Sequence, residues 1–246
     1  MTAPIYAVGD IHGHLDMLDA AIQRITDDGG PEAQIVFLGD LVDRGPDSAG
    51  VIERLRAGVA AGRNWTVLRG NHDRMYSYFL EEHPRPDPQI LLGMDWFSDR
   101  IGGRSTLASY GIETGDDTRY FHIHARARAV IPQAHVRFMA GLPGHHLAQG
   151  LLFVHAGIRP GVALERQTED DMCWIRREFL DYRDPHPWLV VHGHTPGQRA
   201  AHRGNRVNLD SGAGYGRPLT AAVFEDDRVW TLGARGREPL LPETQD

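Results

Sequence analysis

Ile5-Tyr6-Ala7-Val8-Gly9-Asp10-Ile11-His12-Gly13 is a short apolar run that breaks into a glycine-flanked turn carrying a carboxylate and an imidazole. The run has strand length, and Leu15, Leu18, Ala21, Ile22 and Ile25 follow it at helical spacing. The same order repeats downstream. Ile35 to Leu38 enters Gly39-Asp40, and Val51, Ile52 and Leu55 mark the next helix. Trp65 to Leu68 enters Gly70-Asn71, with Met75, Tyr78, Phe79 and Leu80 behind it. This strand-helix alternation is an α/β arrangement, in which ligands gather outside the carboxyl ends of the strands. Three polar clusters are therefore expected on one rim.

Beyond the third helix, His83-Pro84-Arg85-Pro86-Asp87-Pro88 cannot continue a regular element, because proline at alternate positions removes amide donors and fixes φ. Gln89 to Ala140 reads as mostly helical, broken at Gly102-Gly103 and at Gly115-Asp116-Asp117. It is expected as a helical insertion beside the rim, over about 84–143. Strands resume at Leu151 to Val154, Trp188 to Val191, Arg206 to Leu209, Thr220 to Phe224 and Arg228 to Leu232. Their shortness and adjacency suggest antiparallel pairing in a second sheet. The expected organisation is one domain over 1–234 and a flexible tail over 235–246.

The 246 residues carry 33 acidic against 26 basic side chains, a formal net charge of -7, which makes nucleic acid a poor partner. Cys173 is the single cysteine, so no intramolecular disulfide is available, and its place beside Trp174 reads as core. Met1 to Pro4 leads into a strand, and no span of about 20 apolar residues occurs. A cytoplasmic protein with no membrane partner is expected.

The strand ends offer oxygen and imidazole donors, as a hard or borderline divalent cation requires. Asp10 and His12 stand two apart in an extended turn and can face one ion. Asp40 follows the second strand, Asn71 the third, and His155 and His194 end later strands. A carboxylate has two oxygens and can bridge two cations, so Asp40 is the natural bridge. Six ligands suffice for two ions.

The glycine-flanked segments GDIHG (9–13), GDLVDRG (39–45), GNHD (70–73), HAG (155–157) and GHTP (193–196), with Trp174-Ile175-Arg176 and Asp210-Ser211-Gly212-Ala213, resemble the metallophosphoesterase superfamily. Within it the chain resembles the bacterial PPP-type serine/threonine protein phosphatases, of lambda-phosphatase-like kind, from Val8 to about Thr220. The resemblance implies a four-layer α/β/β/α sandwich of two mixed sheets. It implies that Asp10, His12 and Asp40 hold one cation and that Asp40, Asn71, His155 and His194 hold the other. Manganese is the expected metal, with iron or zinc compatible with the same donors. A metal-bridging hydroxide would attack phosphorus in line. His72 would be the general acid, held by Asp43. Arg44 and Arg176 would grip phosphate oxygens, with Asn71 and Tyr215 also facing substrate. Helix spacing leaves open whether Arg176 or Arg177 points inward.

Many phosphodiesterase relatives read GHxH where Pro196 stands here, which favours phosphomonoesters. His192 is left out of the ligand set. His122, His124, His135, His145, His146 and His202 lack a carboxylate at a recognisable spacing and read as structural. The expected activity is thus phosphomonoester hydrolysis, with a phosphoprotein or phosphopeptide as partner. The rival is symmetrical hydrolysis of dinucleoside polyphosphates, such as diadenosine tetraphosphate. Asp43 favours the protein phosphatase, because the dinucleotide group often lacks an acid there. A catalytically inactive binding module is set against by the presence of all six ligand positions and His72.

Overall fold

The computed structural model describes residues 3–115 and 118–243. β1 (Ile5–Val8), α1 (Leu15–Gly29), β2 (Gln34–Phe37), α2 (Ser48–Ala60), β3 (Trp65–Val67) and α3 (Asn71–Leu80) follow the alternation read from the sequence. β1 pairs in parallel with β2, and β2 with β3. The residues of β1 divide by period two. Tyr6 and Val8 pack with helical residues such as Leu18, Ile22 and Ile52. Ile5 and Ala7 face the other way, against Phe153, Val191 and Val207.

Those last three residues belong to a second sheet. It contains β4 (His145–Ala148), β5 (Leu151–Val154), β6 (Leu189–His192), β7 (Ala201–His202) and β8 (Arg206–Asn208), in the order β4-β5-β6-β8-β7. Its outer face, Leu152, Val154 and Val190, is covered by Ile175 and Phe179. Two mixed sheets thus meet face to face with helices outside both, the α/β/β/α architecture implied by the motifs.

The pairing differs from expectation in two respects, the direction of the central strands of the second sheet and the sheet that the last strands join. β5, β6 and β8 run parallel, because the long crossover from β5 to β6, through α7 (Glu169–Trp174) and α8 (Arg177–Leu180), returns the chain in the same direction. The antiparallel strands β9 (Ala221–Glu225) and β10 (Arg228–Gly233) are joined by the two-residue turn Asp226-Asp227 and extend the first sheet, with β9 beside β1. Residues 236–239, expected within a flexible tail, instead form the edge strand β11 (Gly236–Pro239) on β10. Arg237 secures that edge by pairing with Asp28 at 2.8 Å and Glu225 at 2.6 Å.

The segment after α3 is less helical than its composition suggests. Residues 81–102 form turns, including one in which Ser98 Oγ accepts the Asp95 N–H at 3.0 Å. Helix begins only with α4 (Gly103–Ser109), followed by α5 (Tyr120–Val130) and α6 (Gln133–Ala140). The break expected at Gly115-Asp116-Asp117 lies partly outside the described residues. Among the described residues, no helix is long and apolar enough to cross a membrane.

Candidate metal centre

The parallel strands deliver their polar ends to one rim. Asp10 and His12 leave β1, Asp40 leaves β2, Asn71 opens α3 after β3, His155 leaves β5 and His194 leaves β6. All six side chains are buried. Backbone bonds stitch the turns together. Ile11 and His12 donate their amides to the Asp40 carbonyl at 3.1 and 2.8 Å. The Asp73 carboxylate, fully buried, accepts Leu41 N–H at 2.9 Å and Gly70 N–H at 2.8 Å.

This rim concentrates unusual backbone. Among the described non-glycine residues, φ is positive at His12, Asp40, Asp43, Arg44 and His194, and otherwise only at Gln149 and Asp226. Such conformations cost of order 1–3 kcal/mol each and persist where surrounding structure fixes them. Two motif glycines have a spatial role. A Cβ at Gly70 would stand 2.2 Å from Asp40 Oδ1, and one at Gly193 would stand 1.9 Å from Asp10 Oδ1. Both positions must lack a side chain for the carboxylates to lie where they do.

Asp40 faces two directions. Its Oδ2 lies 3.6 Å from His12 Nε2, and its Oδ1 lies 3.4 Å from His155 Nε2. His155 Nε2 and His194 Nδ1 stand 3.0 and 2.9 Å from Asn71 Oδ1. The far nitrogens of two rings are committed elsewhere: His12 Nδ1–H donates to Val42 O and His155 Nδ1–H to Leu38 O, both at 2.9 Å. Each ring therefore turns a lone pair from Nε2 toward Asp40, the orientation that backbone carbonyls impose on metal-binding histidines. Burial lowers the pKa of His12, His155 and His194, keeping them neutral.

The donor set fits divalent cations. Asp40, His155 and His194 form one compact group, and His12, Asp40 and His72 another, each with its ligand atoms within 4.8 Å of one another. Asp10 stands outside both groups. Its Oδ2 accepts the His194 N–H at 3.0 Å, whereas Oδ1 is buried without a hydrogen-bond partner. Burial, with Asp210 and Asp40 nearby, raises the Asp10 pKa, so its ionised form calls for a positive neighbour.

His72 is set apart from the other rim imidazoles by a carboxylate. Its Nδ1 lies 2.6 Å from Asp43 Oδ2, and Asp43 is fully buried. Asp43 also accepts from Trp96 Nε1 at 3.0 Å and from Thr106 Oγ1 at 2.7 Å. Neither Trp96 nor Thr106 lies in a motif, and sequence reasoning missed both. Asp73 was missed too, although its place in GNHD was a signal. Arg44 donates from Nη1 to His12 Nε2 at 2.7 Å and from Nη2 to His72 Nε2 at 3.1 Å. The half-exposed Tyr215 ring lies 4.8 Å from the Arg44 guanidinium carbon.

Arg176 Nη1 donates to Thr195 Oγ1 at 3.2 Å, beside His194, so it is Arg176 rather than Arg177 that reaches the rim. His192 lies behind it, buried against Phe179 with Nδ1–H on Gly193 O. His135 bridges Tyr110 and Glu53, and His124 bonds Glu81 O. None of the surplus histidines enters either group of candidate ligands. Burial raises the Cys173 thiol pKa and keeps it protonated.

The family model of the calcineurin-like phosphoesterases matches residues 3–227. The chain belongs to that family. It is a metallophosphoesterase, hence a hydrolase, with Asp and His groups suited to a dinuclear metal site. This phosphoesterase is 26% identical over 261 residues to the asymmetrical bis(5'-nucleosyl)-tetraphosphatase PrpE of Geobacillus thermodenitrificans, covering 96% of each chain. Its identity to the protein of the same name from Bacillus thuringiensis (strain Al Hakam) is 24%, with the same coverage. Among solved structures it is similar to one offered as a candidate diadenosine tetraphosphatase, with TM-score 0.64, 24% identity, and 94% and 93% of the two chains covered. A cold-active protein-tyrosine phosphatase of a Shewanella species shares the fold at TM-score 0.63 and 16% identity, over 98% of this chain and 81% of that one.

These relatives overturn the expected phosphoprotein or phosphopeptide partner, since the proteins alike over nearly their whole length are named for a small dinucleotide. Asp43 gave the wrong indication for a physical reason. It serves to orient His72 and to anchor Trp96 and Thr106, a task independent of the ester or anhydride being cleaved.

Proposed function

We propose that this phosphoesterase hydrolyses dinucleoside tetraphosphates asymmetrically, to a nucleoside triphosphate and a nucleoside monophosphate. The observation that carries this reading is the likeness to proteins of that name over 96% of both chains. One P–O–P link is broken: the oxygen of water joins phosphorus, the bridging oxygen departs with the other nucleotide, and the protons of water are released.

Asp10, His12 and Asp40 would hold one divalent cation, and Asp40, Asn71, His155 and His194 the other. Bound there, the pair supplies Lewis acidity toward phosphate oxygens and toward water. Manganese suits the mixed carboxylate, amide and imidazole donors, as do iron and zinc. Arg44, beside His12, and Arg176, beside Thr195, both reach the rim and can grip non-bridging oxygens. Asp43 holds His72 Nδ1, leaving Nε2 facing the cluster; it accepts from Arg44 here, and once protonated it would be the atom that passes a proton to the departing oxygen. A departing phosphate chain is a weaker base than an alkoxide, so an anhydride asks less of His72 than an alkyl ester does.

Chromatography of the products formed from diadenosine tetraphosphate, with and without manganese, tests the proposal. Metal-dependent appearance of ATP and AMP in equal amounts is expected. Equal release of ADP, or preference for a phosphopeptide over the dinucleotide, would overturn it.

A further inference from the structure

A dinucleoside tetraphosphate cut off-centre has a long and a short arm, and the rim is flanked by two unequal pockets. On one side, Arg44 is the shared wall between the candidate metal ligands and a pocket of about 380 Å³. Among the described residues, Arg44 and Arg100 line it with one carboxylate, Asp99, beside Arg104, which is engaged by its own partners, and Phe97 and Tyr215 supply aromatic faces. Arg104 is tied to the Phe97 carbonyl at 3.3 Å, whereas Arg100 is exposed at the mouth.

On the other side, Trp174 and Arg176 border a pocket of about 520 Å³. The Trp174 ring lies 5.9 Å from the His194 ring, so this pocket too abuts the rim. Its charges balance, with Arg159, Arg176 and Arg177 against Asp170, Asp171 and Glu178. Several are already paired: Asp171 and Glu178 hold Arg159 at 2.7 and 2.5 Å, and Asp170 receives Arg74 at 2.6 Å. Both pockets have the size of nucleotide sites.

Resting on the dinucleotide reading, we infer that the substrate lies across the rim with its triphosphate arm in the Arg44–Arg100 pocket and its monophosphate arm in the Trp174 pocket. The extra phosphates of the long arm carry the extra negative charge, and among the described residues it is the first pocket, through Arg44 and Arg100 against Asp99, whose lining has arginine charge in excess to meet it. The nucleoside at the end of that arm meets the exposed Tyr215 ring. The short arm brings a nucleoside and little further charge, which the balanced pocket and the Trp174 indole accommodate.

The test is inhibition of p-nitrophenyl phosphate turnover by ATP and by AMP, at fixed free manganese, in the wild type, Arg100→Ala and Arg100→Glu. Arg100→Ala should weaken inhibition by ATP about tenfold and by AMP less than twofold, and Arg100→Glu should widen the difference. Equal loss for both nucleotides, or no loss for either, would overturn the assignment of the arms. Diadenosine tetraphosphate is run with the same wild-type preparation. Failure to cleave it while p-nitrophenyl phosphate is turned over sinks the dinucleotide reading itself. Cleavage with an unmoved ratio of ATP to AMP inhibition sinks the arm assignment alone.

Discussion

The rim at the strand ends and the segment of residues 81–143 beside it are held by different forces. The rim buries carboxylates and imidazoles, aims them with left-handed backbone and fixes them through main-chain hydrogen bonds. The neighbouring segment is held by aromatic packing. Phe79 meets Trp96 at 4.8 Å, Phe97 at 5.3 Å and Tyr120 at 5.8 Å, with His124 at 5.5 Å. The two regions join at Asp43, which takes its imidazole from the rim and its indole and hydroxyl donors from the segment. On the proposed reading, the rim breaks the bond and the segment helps to place the acid and the substrate.

The most severe way to break this division is at Asp40. Asp40→Asn should cut kcat by about 10³-fold or more for every phosphate substrate, because both ligand groups lose their common carboxylate. A deficit confined to one substrate class would place Asp40 in recognition instead. His72→Asn should lower turnover of an alkyl phosphate by about 10²–10⁴-fold while the metal content persists. Nitrophenolate and phosphate leave with less protonic help, so p-nitrophenyl phosphate and the dinucleotide should lose less.

Thr106→Val probes the joint from the other side. Removing a hydrogen bond to a buried charge costs about 1.5–3 kcal/mol, and the part felt through His72 should lower alkyl phosphate turnover by about tenfold. An unchanged rate, with the fold intact by circular dichroism, would disconnect the segment from the acid. Far from both regions, Arg237→Ala should cost less than about 1 kcal/mol, since its pairs are partly exposed. Burial alone would raise the Asp28 pKa, but hydrogen bonds from Arg237 and Tyr6 outweigh it and hold the carboxyl low. That stabilisation is present above the ordinary aspartate pKa of about 3.9 and is lost as pH falls through the lowered value. Thermal melts of wild type and variant should therefore differ at pH 7 and converge in acid.

The same contrast explains what was legible beforehand. Each rim donor sits at the end of a short apolar strand, and all but His155 stand next to a glycine, so periodicity and local spacing revealed both its element and its facing. Trp96 and Thr106 lie in turns and a short helix, and reach Asp43 across long sequence separations that no local pattern encodes. The direction of β5, β6 and β8 and the sheet that β9 and β10 join were misread because short adjacent runs look alike, whereas the antiparallel pairing of β9 with β10 was as expected. The crossover through α7 and α8 and the Asp226-Asp227 hairpin decide the pairing. Substrate choice was illegible for a related reason: on the reading proposed above it rests on pockets beside the rim that form only when segments distant in sequence pack together.

The metal content of purified wild type, His12→Ala and His155→Ala, each saturated with manganese and freed of excess, tests the shared-carboxylate site most directly. Two ions per chain in the wild type and one in each variant are predicted. A single ion in the wild type, or two retained in either variant, would contradict two cations joined through Asp40.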